Sequence, residues 1–190
     1  MARLPYVDVA QAPTPVRQAL SVVPPLNIFF ILGHAATAFQ PYLRLAGAIL
    51  GELELDPALR ELAILQVAKH SDAEYEWVQH VAIGQHAGLT PEQIAAVQTG
   101  SIADHPSLDS TQRAVLLFTR EVVNGPHVST TTFQAVNERL NPREIVELLI
   151  TIGNYLMLAK IITTLEVEID EPIGNTVVEL SRTPPDGEQH

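Results

Sequence analysis

The chain has 190 residues, of which 46% are hydrophobic and only 17% are charged, and its net charge is −11. This length is enough for one domain with its own core, and the low charged share favours burial of further apolar surface against other subunits. The negative charge argues against nucleic acid and anionic membranes as partners, and the lack of cysteine excludes disulfides, thiolate metal sites and thiol redox chemistry.

The N-terminal region lacks the pattern of a secretory signal. It has no apolar core segment, and prolines interrupt it at positions 5, 13 and 15. The first apolar run, PLNIFFILGHAATAF, is shorter than a membrane span and contains His34. We therefore expect a cytoplasmic protein that does not cross a membrane.

Helix-start signals occur along the whole chain. Asp56 and Asn141 each place a capping side chain before a proline at the first helical position. Ser71 and Glu74 have the spacing of a capping box. No segment alternates with period two over the length of a strand, and LEVEID at 165–170 is the one short candidate.

These signals predict an all-α fold of seven to nine helices. We expect a single helical domain over residues 1–173 and an extended or disordered tail over 174–190. The predicted helices span roughly 15–21, 27–37, 40–51, 57–69, 72–87, 91–98, 109–123, 130–139 and 142–165.

The stretch AEYEWVQH at 73–80 concentrates ionisable and aromatic side chains. On a helical wheel of ~100° per residue, Glu76 and His80 fall on the less polar arc, and their i,i+4 spacing makes them neighbours. The polar residues expected to face solvent fall on the opposite side of the wheel: Glu74, Gln79, Gln85 and His86.

A further carboxylate lies within the apolar stripe of the preceding helix. Glu61 falls among apolar residues on the wheel, where a charge is costly unless it is paired. A short link joins the two helices, so a helical hairpin would bring Glu61, Glu76 and His80 together. When two carboxylates and one imidazole share a site that is partly shielded from water, their interactions shift their pKa values apart. One group then keeps its proton near neutral pH and acts as an acid, and another lacks a proton and acts as a base.

Other interpretations of these residues stay open. Glu76 and His80 are compatible with an ordinary surface pair, and Trp77 with a packing residue. A metal site is disfavoured because the histidines and glutamates near His80 lack a known ligand spacing. His34 is expected in the core, or at the wall of the same cavity.

Long stretches of the sequence resemble a known family. The similarity lies in three stretches, which are in chain order PPLNIFFILGH, RELAILQVAKHSDAEYEWVQHVAIGQHAGLT and IVELLITIGNYLMLAKI. In these stretches the chain is similar to the carboxymuconolactone decarboxylase family, whose fold is also called alkylhydroperoxidase-D-like, or AhpD-like. The resemblance implies an all-helical subunit that assembles into a homo-oligomeric bundle, as a dimer, trimer or hexamer. It places Glu61 and His80 at the glutamate and histidine positions of the peroxidase branch, whereas Ala73 and Glu76 stand where that branch has two cysteines. Thiol-dependent peroxide reduction is therefore excluded.

The decarboxylase branch of the family works without the cysteine pair, and the resemblance implies its acid–base chemistry. We expect a lyase, decarboxylase-like, or an isomerase that acts on a small carbonyl or lactone compound without cofactor or metal. His80 is expected to be the general acid and base, Glu61 to orient it, and Glu76 to be a second acid. The residues expected to contact the substrate are Tyr75, Trp77, His34, Asn154 and Tyr155.

A non-catalytic ligand-binding or scaffold protein on the same fold is the alternative function. Charge also bears on the ligand, because the authentic decarboxylase binds an anionic dicarboxylate. Near the candidate site the sequence offers only Arg60 and Lys69, with Arg44 possible from another helix. An apolar, acidic pocket fits a less charged substrate better.

Overall fold

The regular structure of the chain is entirely α-helical in the computed structural model, which describes residues 1–174. This confirms the predicted all-α fold; of the predicted tail, only Gly174 falls within the described residues. Nine helices follow one another in that part of the chain: α1 (Thr14–Leu20), α2 (Asn27–Leu32), α3 (Ala36–Gly51), α4 (Pro57–His70), α5 (Glu74–His86), α6 (Pro91–Thr99), α7 (Ser110–Asn124), α8 (Thr130–Asn137) and α9 (Pro142–Leu165).

Two of the three helix caps predicted from the sequence, those at Asp56 and Asn141, are present in the structure, and the third, at Ser71, is not. Asp56 accepts hydrogen bonds from two amides of the first turn of α4, and Asn141 does the same for α9. The capping box predicted from Ser71 is wrong. Asp72 adopts a left-handed φ of +50°, so the amide of Ser71 still bonds to the end of α4, and Ala73 becomes the N-cap of α5 without a side-chain hydrogen bond.

The boundary between α2 and α3 also differs from the sequence prediction. The sequence predicts helices over 27–37 and 40–51, whereas the break lies at 33–35 and Pro41 is inside α3. Gly33, at the break, allows α1 to approach closely, because a Cβ there would lie 3.3 Å from Cγ1 of Val16 and 3.4 Å from the carbonyl oxygen of Phe29. The break therefore lies before Pro41, where α1 packs against the chain.

Helix α4 lies at the centre of the fold, packed against α5, α6, α7 and α9. Every residue from Arg60 to Ala68 is buried. One face of α4 belongs to a core cluster shared with α7 and α9, and another face to a cluster shared with α6 and α7. A polar side chain in the middle of α4 is therefore enclosed by the protein, which is the situation of Glu61.

The segment after α9 returns across α5. Asp170 accepts hydrogen bonds from the Tyr75 hydroxyl at 2.6 Å and from the Asn27 amide at 2.7 Å through the same oxygen, Oδ2. The side chain of Gln79 donates to the carbonyl oxygen of Asp170 at 3.0 Å. Gln79 is consequently buried, which corrects the expectation that it faces solvent. The LEVEID stretch forms the end of α9 and irregular backbone, with no strand.

Helix α9 is long and apolar, with 24 residues and a mean hydropathy of 1.8 over its most apolar window. Length and composition alone would allow such a helix to cross a membrane, but 56% of that window is buried inside the fold, as in the core helix of a soluble protein. Its outer face carries a stripe of large apolar side chains, each 41–55% exposed, which we call the α9 stripe: Val146, Leu149, Ile150 and Met157.

Candidate functional site

A buried charge network occupies the contact between α4 and α5. The carboxylate of Glu61 is fully buried and accepts two hydrogen bonds, one from Nε of Arg60 at 2.8 Å and one from Nδ1 of His80 at 2.7 Å. Arg60 also donates through Nη1 to the carbonyl oxygen of Leu50 at 2.8 Å. Glu61 is thus held between a cation and an imidazole, and the geometry expected for the two helices is present.

Close helix packing makes this contact possible. A Cβ on Gly84 would lie 3.0 Å from Cδ1 of Leu89 and 3.6 Å from Cβ of Glu61. Gly84 follows His80 by one turn of α5, so the lack of a side chain there lets α5 approach α4 at the level of Glu61. The left-handed Asp72 reverses the chain between the two helices and completes the hairpin.

The ionisation of Glu61 determines which nitrogen of His80 is free. Burial alone would raise the pKa of Glu61, but the neighbouring His80 and Arg60 outweigh it and lower that pKa below its usual value. The group is therefore a carboxylate near neutral pH, and a carboxylate only accepts hydrogen bonds. Nδ1 of His80 must carry the shared proton, which leaves Nε2 as the ring nitrogen that is not bonded to Glu61 and that can act as a base whenever the ring is neutral.

Glu76 has the opposite environment. It lies one turn before His80 on α5, its residue is 2% exposed, and neither carboxyl oxygen has a hydrogen-bond partner among the described residues. Burial raises the pKa of Glu76 well above its usual value. Neighbouring positions on one helix thus provide a carboxyl that keeps its proton and an imidazole that accepts one.

Three side chains from α3 and α9 complete the cluster. The ring of Tyr155 meets the ring of His80 edge to face, with 4.7 Å between centroids and 87° between planes. Burial, together with the nearby Glu61, Tyr42 and Glu76, raises the pKa of Tyr155 well above its usual value. Burial is also the main reason why the pKa of Tyr42 is raised; this phenol lies beside the amide of Asn154, and its pKa senses the charge of Glu76.

The site residues predicted from the sequence do not include Tyr42, and they do not include Arg60 as a hydrogen-bond partner of Glu61. The sequence offers Arg60 only as a cation near the candidate site, whereas the structure buries its guanidinium against Glu61. Tyr42 follows Pro41 in a helix whose start is predicted wrongly, so its face cannot be read correctly from the sequence. Asn154 and Tyr155, in contrast, lie on the buried side of α9 as the proposal for a pocket wall requires.

Three expected contact residues lie elsewhere. Tyr75 is turned away from His80, and its hydroxyl is bonded to Asp170. His34 is exposed, contrary to the expectation of a core residue, because its Nε2 bonds to the carbonyl oxygen of Pro5 at the surface.

Trp77 packs against the core cluster that α4 shares with α6 and α7. It also lines a separate cleft of about 360 Å³, bordered by Ala68, Lys69, Asp72, Ala73, Glu74, Trp77 and Gln98. Among residues 1–174 no group of three or more His, Asp or Glu side chains is arranged to hold a metal ion.

The same region of the chain matches a family model. Residues 36–121 match the Carboxymuconolactone decarboxylase family, and this segment contains Tyr42, Glu61, Glu76 and His80. The resemblance to this family that the sequence indicated is therefore confirmed over that segment. No curated protein is detectably similar to the chain in sequence.

Solved structures share the fold of this chain. An alkylhydroperoxidase AhpD core protein, an uncharacterized peroxidase-related protein from Ralstonia eutropha JMP134, has a TM-score of 0.76 and 21% identity, with 97% of this chain and 98% of that chain covered. A putative antioxidant defence protein AhpD from Agrobacterium tumefaciens has a TM-score of 0.64 and 18% identity, with 70% and 90% covered. The debrominase Bmp8 in its apo form has a TM-score of 0.67 and 15% identity, with 93% and 94% covered. At these identities the likeness concerns the fold, and it is AhpD-like.

Proposed function

We propose that this family member is a cofactor-independent lyase or isomerase that acts on a small carbonyl or lactone compound by proton transfer. The observation that carries the proposal is the 2.7 Å hydrogen bond between Nδ1 of His80 and the buried carboxylate of Glu61. That bond leaves Nε2 of His80 as a base, with the protonated Glu76 one turn away. Acid and base of this kind, close together and shielded from water, are what enolisation requires.

The chemistry follows from these positions. Nε2 of His80 removes a proton from the carbon next to the substrate carbonyl, and the electron pair of that C–H bond moves toward the carbonyl oxygen. The carboxyl of Glu76 donates a hydrogen bond to the oxygen as negative charge develops there. Return of the proton from Nε2 to a different carbon gives an isomer. In the lyase version Nε2 of His80 instead takes the proton of a hydroxyl group on the β-carbon. The carbon–carbon bond then breaks, so that one fragment leaves as an aldehyde or ketone and the bond's electron pair forms the enolate of the other fragment. The protonated His80 returns the proton to the enolate carbon.

Glu61 acts in this scheme as a positioning residue. It holds the ring of His80 in one orientation and one tautomer, and Arg60 holds Glu61 in turn. The edge-to-face contact with Tyr155 fixes the ring from the other side. A thiol mechanism is not available to the chain because it has no cysteine, although two structural neighbours carry peroxidase or antioxidant names.

We also propose that the chain forms a homo-oligomer through the α9 stripe. Its four large apolar residues follow the spacing of one helix face. Gly153, in the middle of that face, has no heavy atom within 4 Å of its Cβ position among the described residues, so a neighbouring helix can approach closely there. An exposed apolar stripe of this length favours contact with another subunit.

Proton exchange tests the catalytic proposal. The protein is incubated in D2O with hydroxyacetone or γ-butyrolactone, and loss of the proton next to the carbonyl is followed by proton NMR. We expect exchange faster than in buffer, and His80→Gln to abolish it. His86→Gln is the matched control, because His86 is an exposed histidine on the same helix, and within residues 1–174 it bonds only to the carbonyl oxygen of Ala82.

The outcomes of this experiment separate the two functions. Exchange that persists unchanged in His80→Gln would refute the role of His80. Binding of a probe without exchange, in the wild-type chain, would favour the non-catalytic ligand-binding alternative. As a positioning residue, Glu61 has a distinct readout: Glu61→Gln should change the tautomer ratio of His80, which its ring nitrogen chemical shifts report.

A further inference from the structure

Buried polar atoms without partners are concentrated in one part of the molecule. Six such side-chain atoms occur among the described residues, and four of them are the two carboxyl oxygens of Glu76 and the two amide atoms of Asn154. The other two belong to Gln66 and Ser71. Folded proteins leave few buried polar groups unsatisfied, since each one costs about 1–3 kcal/mol. Two complete functional groups without a partner therefore need a physical explanation.

Glu76 and Asn154 come from α5 and α9, and both lie near Tyr42. The Asn154 amide lowers the pKa of the Tyr42 hydroxyl as a hydrogen-bonding group, although the contact falls short of full hydrogen-bond geometry, and an ionised Glu76 raises that pKa. Tyr155, the residue after Asn154, also senses Glu76 and touches the ring of His80. The unsatisfied groups thus adjoin the proposed acid–base pair.

The charge balance of this space disfavours an anion. Arg60 is the buried cation of the cluster, and it is already bonded to Glu61 and to the Leu50 carbonyl oxygen. Lys69 is exposed and lines the separate cleft beside Trp77. A carboxylate ligand placed next to Glu76 would be buried without a free counter-ion from the described residues, which is strongly unfavourable.

The hydrogen-bond donors and acceptors of Glu76 and Asn154 determine which ligand could bond to both. A protonated carboxyl offers one O–H donor and acceptor oxygens, and a carboxamide offers two N–H donors and one acceptor oxygen. A ligand that satisfies both groups has a carbonyl oxygen to accept from them and an N–H or O–H to donate to them. Tyr42 is the half-buried member of the cluster.

We propose that Glu76 and Asn154 bind an uncharged small molecule that carries a carbonyl group next to an O–H or N–H donor, such as a hydroxyketone or a lactam. This inference rests on the proposed function, because the ligand would be the substrate of the same site. It narrows that function to reactions of neutral compounds, in which isomerisation or a carbon–carbon bond cleavage replaces loss of CO2 from a carboxylate.

Binding of hydroxyacetone, 2-pyrrolidinone and acetate, followed by ligand-observed NMR at neutral pH, tests the assignment. We expect saturable binding of at least one neutral probe and at least tenfold weaker binding of acetate. Asn154→Leu and Glu76→Leu should each weaken the neutral probe at least tenfold, whereas Glu76→Gln should keep its binding within threefold, because glutamine resembles the protonated acid. Gln66→Leu is the matched control, since Gln66 has an unsatisfied oxygen outside the cluster.

Several results would overturn the assignment. They are no saturable binding of either neutral probe, acetate binding as tightly as they do, unchanged binding in Asn154→Leu, or tenfold loss in Glu76→Gln. The leucine variants replace unsatisfied polar groups with apolar ones, so we expect them to fold, and circular dichroism checks this. Because the readout is binding, a neutral probe that binds but undergoes no proton exchange refutes the proposed function alone.

Discussion

Replacing Glu76 with glutamine removes a carboxyl group that has to keep its proton in the folded chain. The side chain has almost the same shape and stays able to donate a hydrogen bond. Glu76 is buried with no hydrogen-bond partner in the part of the chain that the structure describes, and burial raises its pKa well above the ordinary value of 4.5. The ionisable groups whose pKa values respond to Glu76 are Tyr42 and Tyr155, and the substitution leaves both in place.

The pH dependence of stability follows from proton counting. Below pH 4.5 the Glu76 carboxyl is protonated in both the folded and the unfolded chain, so its ionisation contributes nothing. Above that pH the unfolded chain loses the proton while the folded chain keeps it. The free energy of unfolding then falls by about 1.4 kcal/mol per pH unit until the pH reaches the raised pKa of the folded state. Glu76→Gln lacks this loss.

Urea unfolding of the wild-type chain and of Glu76→Gln, at fixed protein concentration and at intervals from pH 4 to pH 8, measures the effect. We expect the variant to gain stability relative to wild type as pH rises, with a slope approaching the value above. A difference that is constant with pH, or one that favours wild type as pH rises, would show that Glu76 is ionised and paired. Glu61→Gln is the control of opposite sign: because its folded pKa is lowered, Glu61 contributes stability above pH 4.5 that disappears as pH falls through that lowered pKa.

Three further substitutions test separate parts of the structure. Glu61→Ala should reduce the free energy of unfolding at neutral pH by about 3–5 kcal/mol, because Arg60 is left buried and unpaired; a loss below 1 kcal/mol in urea unfolding would contradict this. Asp170→Ala should cost about 1–3 kcal/mol and speed hydrogen exchange of the Asn27 amide, which loses its acceptor; unchanged exchange would contradict the contact. Met157→Lys should weaken self-association in sedimentation, and an unchanged oligomer mass would exclude the α9 stripe as the interface.

Local signals predicted most of the helices because cap bonds form within a few residues. The side chains of Asp56 and Asn141 bond to amides two and three positions later, and a proline follows each of them. The start of α3 was predicted wrongly because the prediction placed the boundary next to Pro41, which the structure accommodates inside the helix. The capping box predicted from Ser71 is wrong because the chain turns at the left-handed Asp72, so the amide of Ser71 bonds to the end of α4 and Ser71 does not cap α5.

The candidate site was predicted from the sequence only where polarity conflicts with helix periodicity. Glu61 and His80 stand out because each is an ionisable side chain on an apolar arc, and the hairpin brings them together. The wheel assigns Gln79 to solvent because it cannot represent the segment that crosses α5 after α9. Tyr42 has no comparable signal, since a tyrosine near a helix start fits both a packed and an exposed position.

The residues that replace the cysteine pair differ in a way that bears on function. In the peroxidase branch that the sequence resembles, positions 73 and 76 would be cysteines, and a thiol tolerates an apolar environment well. Ala73 is buried and apolar, as expected of a position released from its chemistry. Glu76 is equally buried but carries a group that burial penalises, and no described residue compensates it. Loss of the thiol reaction alone explains the alanine and leaves the glutamate without a reason. A ligand that bonds to Glu76 and Asn154 beside His80 accounts for both of these unsatisfied groups at once.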